Sequence, residues 1–252
     1  MKTKRLVSVL AVVFLLASVF ASANTRKSYD WYFKPNKTHE KPEVIPEAKE
    51  LIDNENVIYY SKSDEKVLYL TFDAGYDNGY HTSILDTLKQ KGVKAAFFVD
   101  GNFIKNNAET AKRIMAEGHL LCNHTKNHPD TTKLSADEFK EQILGWEEIC
   151  KEVTGKNGAK FYRPPMGKFN ESTLKQAQEL GYKTVFWSFA YCDWKNDAQP
   201  NKEKAINNIL ERVHPGAVML LHSTSKTNSE ILGEVIDLLK AEGYQFSTLE
   251  NL

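Results

Sequence analysis

The 252-residue sequence is poor in cysteine and has no excess of charge of either sign. Its three cysteines are odd in number and suggest neither a disulfide framework nor a zinc ribbon, so we expect small buried residues at Cys122, Cys150 and Cys192. Lys plus Arg and Asp plus Glu each total 33, which provides no electrostatic basis for binding nucleic acid. Internal repeats and low-complexity tracts are absent, and the composition is that of a globular domain.

A single long hydrophobic run lies near the N-terminus, over residues 6–20. A short basic stretch precedes it and Ala21-Ser22-Ala23 follows it, which is the order of parts in a secretory signal. We therefore predict a signal peptide over 1–23, removed after Ala23, and an exported protein. An uncleaved membrane anchor and a buried core helix are the alternatives, although 15 residues are short for a membrane span.

The remaining sequence divides into a leader over 24–57 and a domain over 58–252. The leader is polar and predicted to be irregular, with its cluster Trp31-Tyr32-Phe33 either docked on the domain or stacked on glycan. In the domain, apolar strands alternate with helices, which is typical of a parallel sheet covered on both faces. An open doubly wound sheet and a closed barrel both satisfy this pattern, but no Gly-rich phosphate motif follows the first strand.

Seven strands are predicted in the domain, with a helix or helical connection after each of the first six. The strands are predicted over 67–72, 94–99, 120–123, 160–162, 184–189, 217–221 and 245–249. The helices are predicted over 82–90, 108–116, 136–153, 172–180, 202–213 and 230–241. Ser135 and Glu138 form a predicted capping box at the start of the third helix.

Ionisable residues follow five of the seven predicted strands. They are Asp73, His124, Arg163, Asp193 and His222, and each lies at or just past the end of a strand. The carboxyl ends of parallel strands meet at one face of a barrel, and active sites are built at that face. Any one of these residues alone has an ordinary structural explanation, but the five together predict a catalytic face.

Two of these motifs indicate a carboxylate presented to a cleft and a metal site. Asp73 precedes Gly75, which permits a sharp turn that presents the carboxylate. His124 and His128 are four residues apart, so both imidazoles can face one cation such as Zn²⁺. Pro129 follows directly and places the pair in a loop rather than a long helix. Two surface histidines are the alternative interpretation.

The other motifs indicate groups that orient a reacting side chain. Arg163 begins a stiff Pro-Pro turn and is suited to a bidentate bond with a carboxylate. Asp193 and His222 have the character of a carboxylate that orients an imidazole and raises its basicity. A carboxylate, an oriented imidazole and a metal site would then share one face of the domain.

Aromatic residues beside these motifs are candidates for a substrate wall. Trp187 and Trp194 are predicted to stack on a sugar, with a place in the hydrophobic core as the equal alternative. Tyr162 is a third candidate. Backbone N–H groups near Tyr162 or Arg163 could also stabilise an oxyanion.

The five motifs, in order, resemble those of the NodB-type polysaccharide deacetylases (carbohydrate esterase family 4) across residues 55–252. The matching motifs are Thr71-Phe72-Asp73, His124-Thr125-x-x-His128, Arg163-Pro164-Pro165-x-Gly167-x-Phe169-Asn170, Asp193-Trp194 and Leu220-Leu221-His222-Ser223. Three further segments are similar to the delta-lactam-biosynthetic N-acetylmuramic acid deacetylases of spore cortex peptidoglycan. They are Trp31-Tyr32-Phe33, Gly75-Tyr76-Asp77-Asn78-Gly79-Tyr80 and Phe186-Trp187-Ser188-x-Ala190-x-x-Asp193-Trp194.

This resemblance implies an α/β fold, a distorted TIM-like (β/α)7 barrel, and metal-assisted hydrolysis of an N-acetyl group. It makes Asp73 the base that activates water and Arg163 the residue that holds Asp73 in place. It makes His222 the acid that protonates the leaving amine, with Asp193 orienting its ring. Amide hydrolysis needs both groups, because an amide anion is a poor leaving group.

The resemblance also implies a divalent metal, predicted as zinc, with His124 and His128 as its ligands. At one position the sequence departs from the family pattern: Ala74 replaces the second of two adjacent aspartates, which completes the ligand set. Asp77 is an alternative ligand if the turn brings it to the ion. The delta-lactam branch commonly lacks the same aspartate, so its absence does not predict inactivity.

Peptidoglycan glycan strands are the substrate that the resemblance implies, with muramic delta-lactam of the spore cortex as the eventual product. The expected location is the cell wall or the compartment around the forespore. A deacetylase of N-acetylglucosamine polymers is the alternative enzyme, and a non-catalytic wall-binding protein is the alternative of another class. We expect a monomer, with membrane association only through an uncleaved signal.

Overall fold

The computed structural model describes residues 27–252. The signal peptide predicted over 1–23 lies outside the described residues, as do residues 24–26. In the described part of the chain, no helix combines the length and the apolar character needed to cross a membrane. The domain and most of the leader lie within this range.

Residues 27–252 contain ten β-strands and eight α-helices. The strands are β1 (Tyr29–Asp30), β2 (Val57–Ile58), β3 (Val67–Ala74), β4 (Ala96–Val99), β5 (Leu120–Asn123), β6 (Ala159–Tyr162), β7 (Lys168–Phe169), β8 (Lys183–Val185), β9 (Val218–His222) and β10 (Gln245–Ser247). The helices are α1 (Lys49–Ile52), α2 (His81–Lys91), α3 (Gly101–Asn106), α4 (Ala108–Ala116), α5 (Ala136–Thr154), α6 (Glu171–Glu179), α7 (Lys202–Arg212) and α8 (Lys226–Ala241).

The central sheet is parallel and curls towards closure. Its strands lie in the order β10-β3-β4-β5-β6-β8-β2, and β9 pairs with β3. Beyond β8, Phe189 forms a parallel bridge with Met219 of β9, so the chain after β8 and the strand beside β3 come together. This topology confirms the seven predicted strands and the predicted distorted (β/α)7 barrel.

The alternation of side chains along β3 decides which residue faces the inside of the barrel. Phe72 belongs to the larger core cluster, between the sheet and helices α2 and α8, and stacks on Phe97 at 5.1 Å between ring centroids. Tyr69 lies in a different cluster, with Phe98 of β4. Because successive strand residues point to opposite faces, Asp73 shares the face of Tyr69. The carboxylate is therefore directed away from the helices.

Local capping determines where the helices begin. The predicted capping box of Ser135 and Glu138 is present at the start of α5. Helix α8 begins at Lys226, about one turn before the predicted start, because the Ser225 side chain accepts the N–H of Asn228. The earlier start matters for the site, since it places Asn228 in the first turn of α8.

The leader is more regular than predicted. Strand β1 pairs antiparallel with β7, and β2 adds to the main sheet beside β8. Trp31 is buried, stacks on Phe186 at 4.2 Å between ring centroids and donates through Nε1 to the carbonyl of Trp187 at 2.9 Å. Trp31 therefore docks on the domain, and its buried ring has no face free to stack on glycan.

Two of the three cysteines match the prediction of buried residues. Cys122 and Cys150 are buried, and burial raises the pKa of both thiols. Cys192 is exposed, so the prediction is wrong at this position. Its neighbours Tyr191 and Asp193 are buried, and the extended loop after β8 turns the residue between them towards solvent. All three cysteines are free thiols.

Candidate active site

The carboxyl ends of the strands bring predicted site residues to one cavity of about 710 Å³. Asp73 lies near the end of β3, His222 ends β9, and the two are register partners in these paired strands. Neighbouring strands are about 4.8 Å apart, so the carboxylate and the imidazole are close neighbours. His124 follows β5 and lines the same cavity. Strand ends thus gather groups that are far apart in the sequence.

A buried ion pair holds Asp73 in place. Arg163 is fully buried and donates through Nη1 to Asp73 Oδ1 at 2.6 Å. Its Nε and Nη2 donate to the carbonyls of Val185 and Phe186, and the guanidinium carbon lies 4.1 Å from the ring centroid of Phe98. The bond to Asp73 therefore uses one nitrogen instead of the predicted bidentate pair, because the backbone occupies the others.

The charges around Asp73 keep it ionised. Burial by itself would raise the pKa of this carboxyl, but the charges of Arg163 and His222, joined by that of His124 in the acidic range where His124 is protonated, outweigh burial. The pKa of Asp73 is consequently below its ordinary value. At neutral pH the side chain is a carboxylate, with Oδ1 bound to Arg163.

The two predicted metal ligands face each other in the loop after β5. This loop is not helical, since Thr125 and His128 have φ angles of 69° and 57°. The rings of His124 and His128 are 4.8 Å apart between centroids. His124 Nδ1 donates to the carbonyl of Arg163 at 2.8 Å, which leaves a lone pair on Nε2, 3.9 Å from Asp73 Oδ2. Burial lowers the pKa of His124 to about 4, so the imidazole is neutral at pH 7.

The donor set for a metal ion is incomplete. Across residues 27–252, no three His, Cys, Asp or Glu side chains are arranged to hold a metal. Ala74 carries no ligand atom, and Asp77 is engaged elsewhere: its Oδ1 accepts the N–H of Gly79 at 2.7 Å and lies 3.0 Å from His81 Nδ1. The residues present therefore do not fit a three-ligand protein site, and the Asp77 alternative is not supported.

The predicted acid is held by the carboxylate expected to orient it. Asp193 is fully buried and accepts from His222 Nδ1 at 2.7 Å and from the His222 backbone N–H at 2.8 Å. Burial lowers the pKa of His222, but the hydrogen bond and charge of Asp193 and the charge of Asp73 outweigh it, so the pKa is above its ordinary value. Because Nδ1 is bonded to Asp193, Nε2 is the nitrogen free to donate.

Comparison with known proteins places this site in a family. The model of the polysaccharide deacetylase family matches residues 60–185, a range that includes Asp73 and Arg163. Over 251 residues the chain is 38% identical to the peptidoglycan-N-acetylmuramic acid deacetylase PdaA of Bacillus subtilis, covering 99% of this chain and 95% of that protein. The chain belongs to the polysaccharide deacetylase family.

A second relative and a solved structure extend the comparison. A peptidoglycan-N-acetylglucosamine deacetylase of Bacillus cereus is 38% identical over 197 residues, or 77% of this chain and 69% of the relative. The structure of B. subtilis PdaA, a family 4 carbohydrate esterase, has a TM-score of 0.86 at 39% identity, covering 90% of this chain and 97% of that chain. These matches confirm the family and the fold inferred from the five motifs.

Aromatic and apolar side chains form the rim of the cavity in this deacetylase. Trp194 is half exposed, and its ring lies 5.7 Å from the ring of His222 between centroids. Trp187 lines the cavity as well, so both predicted tryptophans lie at its wall. Tyr76 and Met166, which are not among the predicted residues, are also exposed at this rim.

Tyr162 does not belong to this wall, contrary to the prediction. Its side chain is fully buried, packs edge-on against Phe139 and lies with its hydroxyl 3.3 Å from Thr131 Oγ1. Strand alternation explains the error, because Tyr162 and Arg163 are consecutive and point to opposite faces of the sheet. The backbone N–H of Arg163 donates to the carbonyl of Asn123, so it is not free for an oxyanion.

Two polar residues of the site are missing from the sequence-based candidates. Asp100 directly follows β4, lines the cavity and caps α3 by accepting the N–H of Phe103 at 2.7 Å. Asp100 shows the sequence pattern that identified the other five residues, since it is an ionisable residue at the end of a strand. Asn228 lies on α8 and donates to Asp193 Oδ2 at 2.6 Å, and no local sequence signal marks it.

Proposed function

We propose that this protein is a hydrolase that removes the acetyl group from N-acetylmuramic acid in peptidoglycan. One feature of the cavity carries the proposal: Asp73 and His222 lie side by side on adjacent strands, and the pKa of Asp73 is lowered while the pKa of His222 is raised. Hydrolysis of an amide needs a base for water and an acid for the leaving nitrogen. The similarity to B. subtilis PdaA over nearly the whole chain supports the choice of substrate.

Asp73 is the proposed base. Arg163 occupies Oδ1, so Oδ2 is the oxygen available to accept a proton from water. The oxygen of that water attacks the acetyl carbonyl carbon, and a tetrahedral intermediate forms. Arg163 lowers the pKa of Asp73, which makes it a weaker base but keeps it unprotonated throughout the neutral range.

His222 is the proposed acid. Its Nε2 proton passes to the amide nitrogen as the C–N bond breaks, which releases acetate and leaves a free amine on the sugar. Asp193 keeps the imidazolium available through its charge and its hydrogen bond to Nδ1. Trp194, beside the ring of His222, is the proposed contact for the sugar, with Trp187 on the same cavity wall.

Deacetylases of this family depend on a metal in general. Zinc remains our proposal for this chain, with His124 and His128 as the two protein donors. Two imidazoles hold zinc less tightly than the three or four protein ligands usual for this ion. We therefore propose a weakly held metal, and the steps assigned to Asp73 and His222 are derived from those side chains alone.

Peptidoglycan lies outside the cytoplasm, so the proposed substrate requires export. The signal predicted over 1–23 is the proposed route, and the spore cortex, with muramic delta-lactam as eventual product, is the proposed setting. A monomer is proposed as the working form. Deacetylation of N-acetylglucosamine is the second candidate, favoured by the similarity to the B. cereus enzyme.

Mass spectrometry of muropeptides tests the substrate. The purified protein is incubated with glycan strands that carry or lack stem peptides, with and without a chelator. Asp73→Asn removes the base with little change of shape, and Asp77→Asn is a matched control, since Asp77 is bonded to Gly79 and His81 outside the cavity. Circular dichroism establishes that both variants are folded.

Loss of one acetyl group from muramic acid, retained in Asp77→Asn and abolished in Asp73→Asn, is the expected result. Loss of acetyl from glucosamine alone would transfer the protein to the second candidate function. An unchanged mass on every strand, with or without added zinc, would contradict a catalytic role and favour a wall-binding protein.

A further inference from the structure

A third residue bonds to the pair formed by Asp193 and His222. Asn228, in the first turn of α8, is 1% exposed and touches both residues of the pair. Its Nδ2 donates to Asp193 Oδ2 at 2.6 Å and to the carbonyl oxygen of His222 at 3.2 Å. One amide group therefore connects the orienting carboxylate to the backbone of the proposed acid.

The chemistry of the partners fixes the orientation of this amide. The carbonyl oxygen of His222 only accepts hydrogen bonds, so the nitrogen of Asn228 faces this carbonyl and Asp193 Oδ2. The oxygen then faces Tyr191, whose hydroxyl donates to Asn228 Oδ1. Burial raises the pKa of Tyr191, which keeps this hydroxyl protonated and able to donate. A chain of hydrogen bonds thus runs from Tyr191 through Asn228 and Asp193 to His222.

Asn228 supplies a bond that the rest of the site does not replace. Asp193 Oδ1 is bound to His222 Nδ1, and Oδ2 is bound to the His222 backbone N–H and to Asn228. Without Asn228, Oδ2 keeps only its bond to the His222 backbone N–H, and the carboxylate is held less firmly against rotation about its χ2 angle. Such a rotation would turn Oδ1 away from the imidazole.

We propose that Asn228 is a positioning residue for proton donation, which holds the Asp193 carboxylate in the plane that aims His222 at the leaving nitrogen. The inference rests on the proposed function of His222 as the acid. Asn228 does not contact the substrate in this role. Its effect reaches the reaction through Asp193, and Tyr191 fixes its amide.

Kinetics over a range of pH test this role. The charged groups that act on His222 are Asp193, Asp73 on the adjacent strand, and Arg163. Asn228→Ala removes the donor, and we expect kcat to fall about 10-fold or more with KM within about twofold, since only the proton transfer is affected. Tyr191→Phe leaves Asn228 in place but removes the hydroxyl that donates to it, and we expect kcat to fall by less, about 5-fold.

A conservative variant adds a readout that a purely structural residue would not change. In Asn228→Asp the side chain keeps its shape but brings a second carboxyl group against Asp193. Two carboxyl groups at hydrogen-bond distance share one proton, so this variant restores a donor to Asp193 without adding charge at neutral pH. The alkaline limb of the kcat profile and the NMR titration of His222 should therefore both move down by about 0.5 pH unit or more in Asn228→Ala, and return most of the way in Asn228→Asp.

Asn170 provides the matched control. It is equally buried, at 1% exposure, and caps α6 by accepting the N–H of Thr173 at 2.9 Å. Asn170→Ala should lower the melting temperature without changing the titration of His222. Equal kcat in Asn228→Ala and the parent, or an unchanged titration of His222 in Asn228→Ala, would overturn the inference.

The titration also separates this inference from the proposed function. A parent protein that deacetylates no glycan strand would refute the function, while the NMR titration would still report whether Asn228 is coupled to His222. Normal deacetylation by the parent, with no shift of the His222 titration in Asn228→Ala, would refute the inference alone. If Asn228→Ala does not fold, the kcat values of Tyr191→Phe and Asn228→Asp test the inference instead.

Discussion

Replacing Asp193 by asparagine removes the charge that opposes the effect of burial on His222. The carboxylate accepts two bonds from His222, at 2.7 Å from Nδ1 and 2.8 Å from the backbone N–H. An amide offers one oxygen and one NH₂ group, so it cannot accept both bonds. The charge of Asp73 remains, but burial then dominates and the pKa of His222 falls below its ordinary value of about 6.5.

The expected loss of activity follows from the loss of the acid. General acid catalysis contributes about 10²- to 10⁴-fold to the rate, or about 3–5 kcal/mol of activation free energy. At pH 8 we expect most of this loss in Asp193→Asn, because the imidazole is then neutral. At pH 5 the loss should be smaller, since part of the imidazole regains its proton while Asp73, with its lowered pKa, stays ionised.

The assay is acetate release from glycan strands, measured from pH 5 to 9 for the parent and for Asp193→Asn. Thermal unfolding at each pH shows whether the variant is folded. In the parent, the raised pKa of His222 stabilises the fold fully below about pH 6.5, and this contribution is lost as pH rises through the folded-state pKa. A loss of activity that is the same at pH 5 and pH 8 would refute the reasoning.

Three further predictions concern the rim, the metal and a helix cap. Trp194→Ala removes the exposed ring beside His222, and we expect KM to rise about 5-fold or more while the exposed Tyr32→Ala control changes nothing, as measured by initial rates. Ala74→Asp adds a carboxylate near the two imidazoles, so zinc affinity by competition with a fluorescent chelator should rise about 10-fold or more over Ala74→Asn. Asp100→Ala removes the cap of α3 and should cost about 1 kcal/mol in denaturant unfolding, whereas Asp100→Asn keeps the cap and should cost less.

Each of these predictions has a result that would contradict it. An unchanged KM in Trp194→Ala would show that the sugar does not contact this ring. Equal zinc affinity in Ala74→Asp and Ala74→Asn would show that position 74 does not face the metal. Equal stability of Asp100→Ala and Asp100→Asn would show that the bond to the Phe103 N–H does not stabilise α3.

Local patterns were sufficient to predict most of the barrel. Strand and helix periods are set by backbone geometry, and the caps of α5 depend on residues only three positions apart. The same local logic predicts that the residues at the strand ends meet, because parallel strands share one carboxyl edge. Asp73 and His222 are register partners for this reason, although they are 149 positions apart.

Asp100 has the same sequence feature as the predicted site residues, an ionisable side chain at a strand end, although it is not among them. It follows β4 as directly as His124 follows β5, and the structure places both at the cavity. Cys192 and Tyr162 show that residue type alone does not predict whether a side chain is buried. A cysteine can be exposed and a tyrosine fully buried, because the loop path and the strand face decide burial.

By itself, the sequence determined the order of strands and helices, the family and the residues that end each strand, since these depend on contacts between near neighbours in the chain. Only the tertiary structure decided that Trp31 stacks on Phe186, that Arg163 binds Asp73 through one nitrogen, and that Asn228 donates to Asp193. These contacts join residues on different elements, and their geometry follows from how the helices and the leader pack on the sheet. The spacing of hydrophobic residues along one strand or helix does not predict that packing.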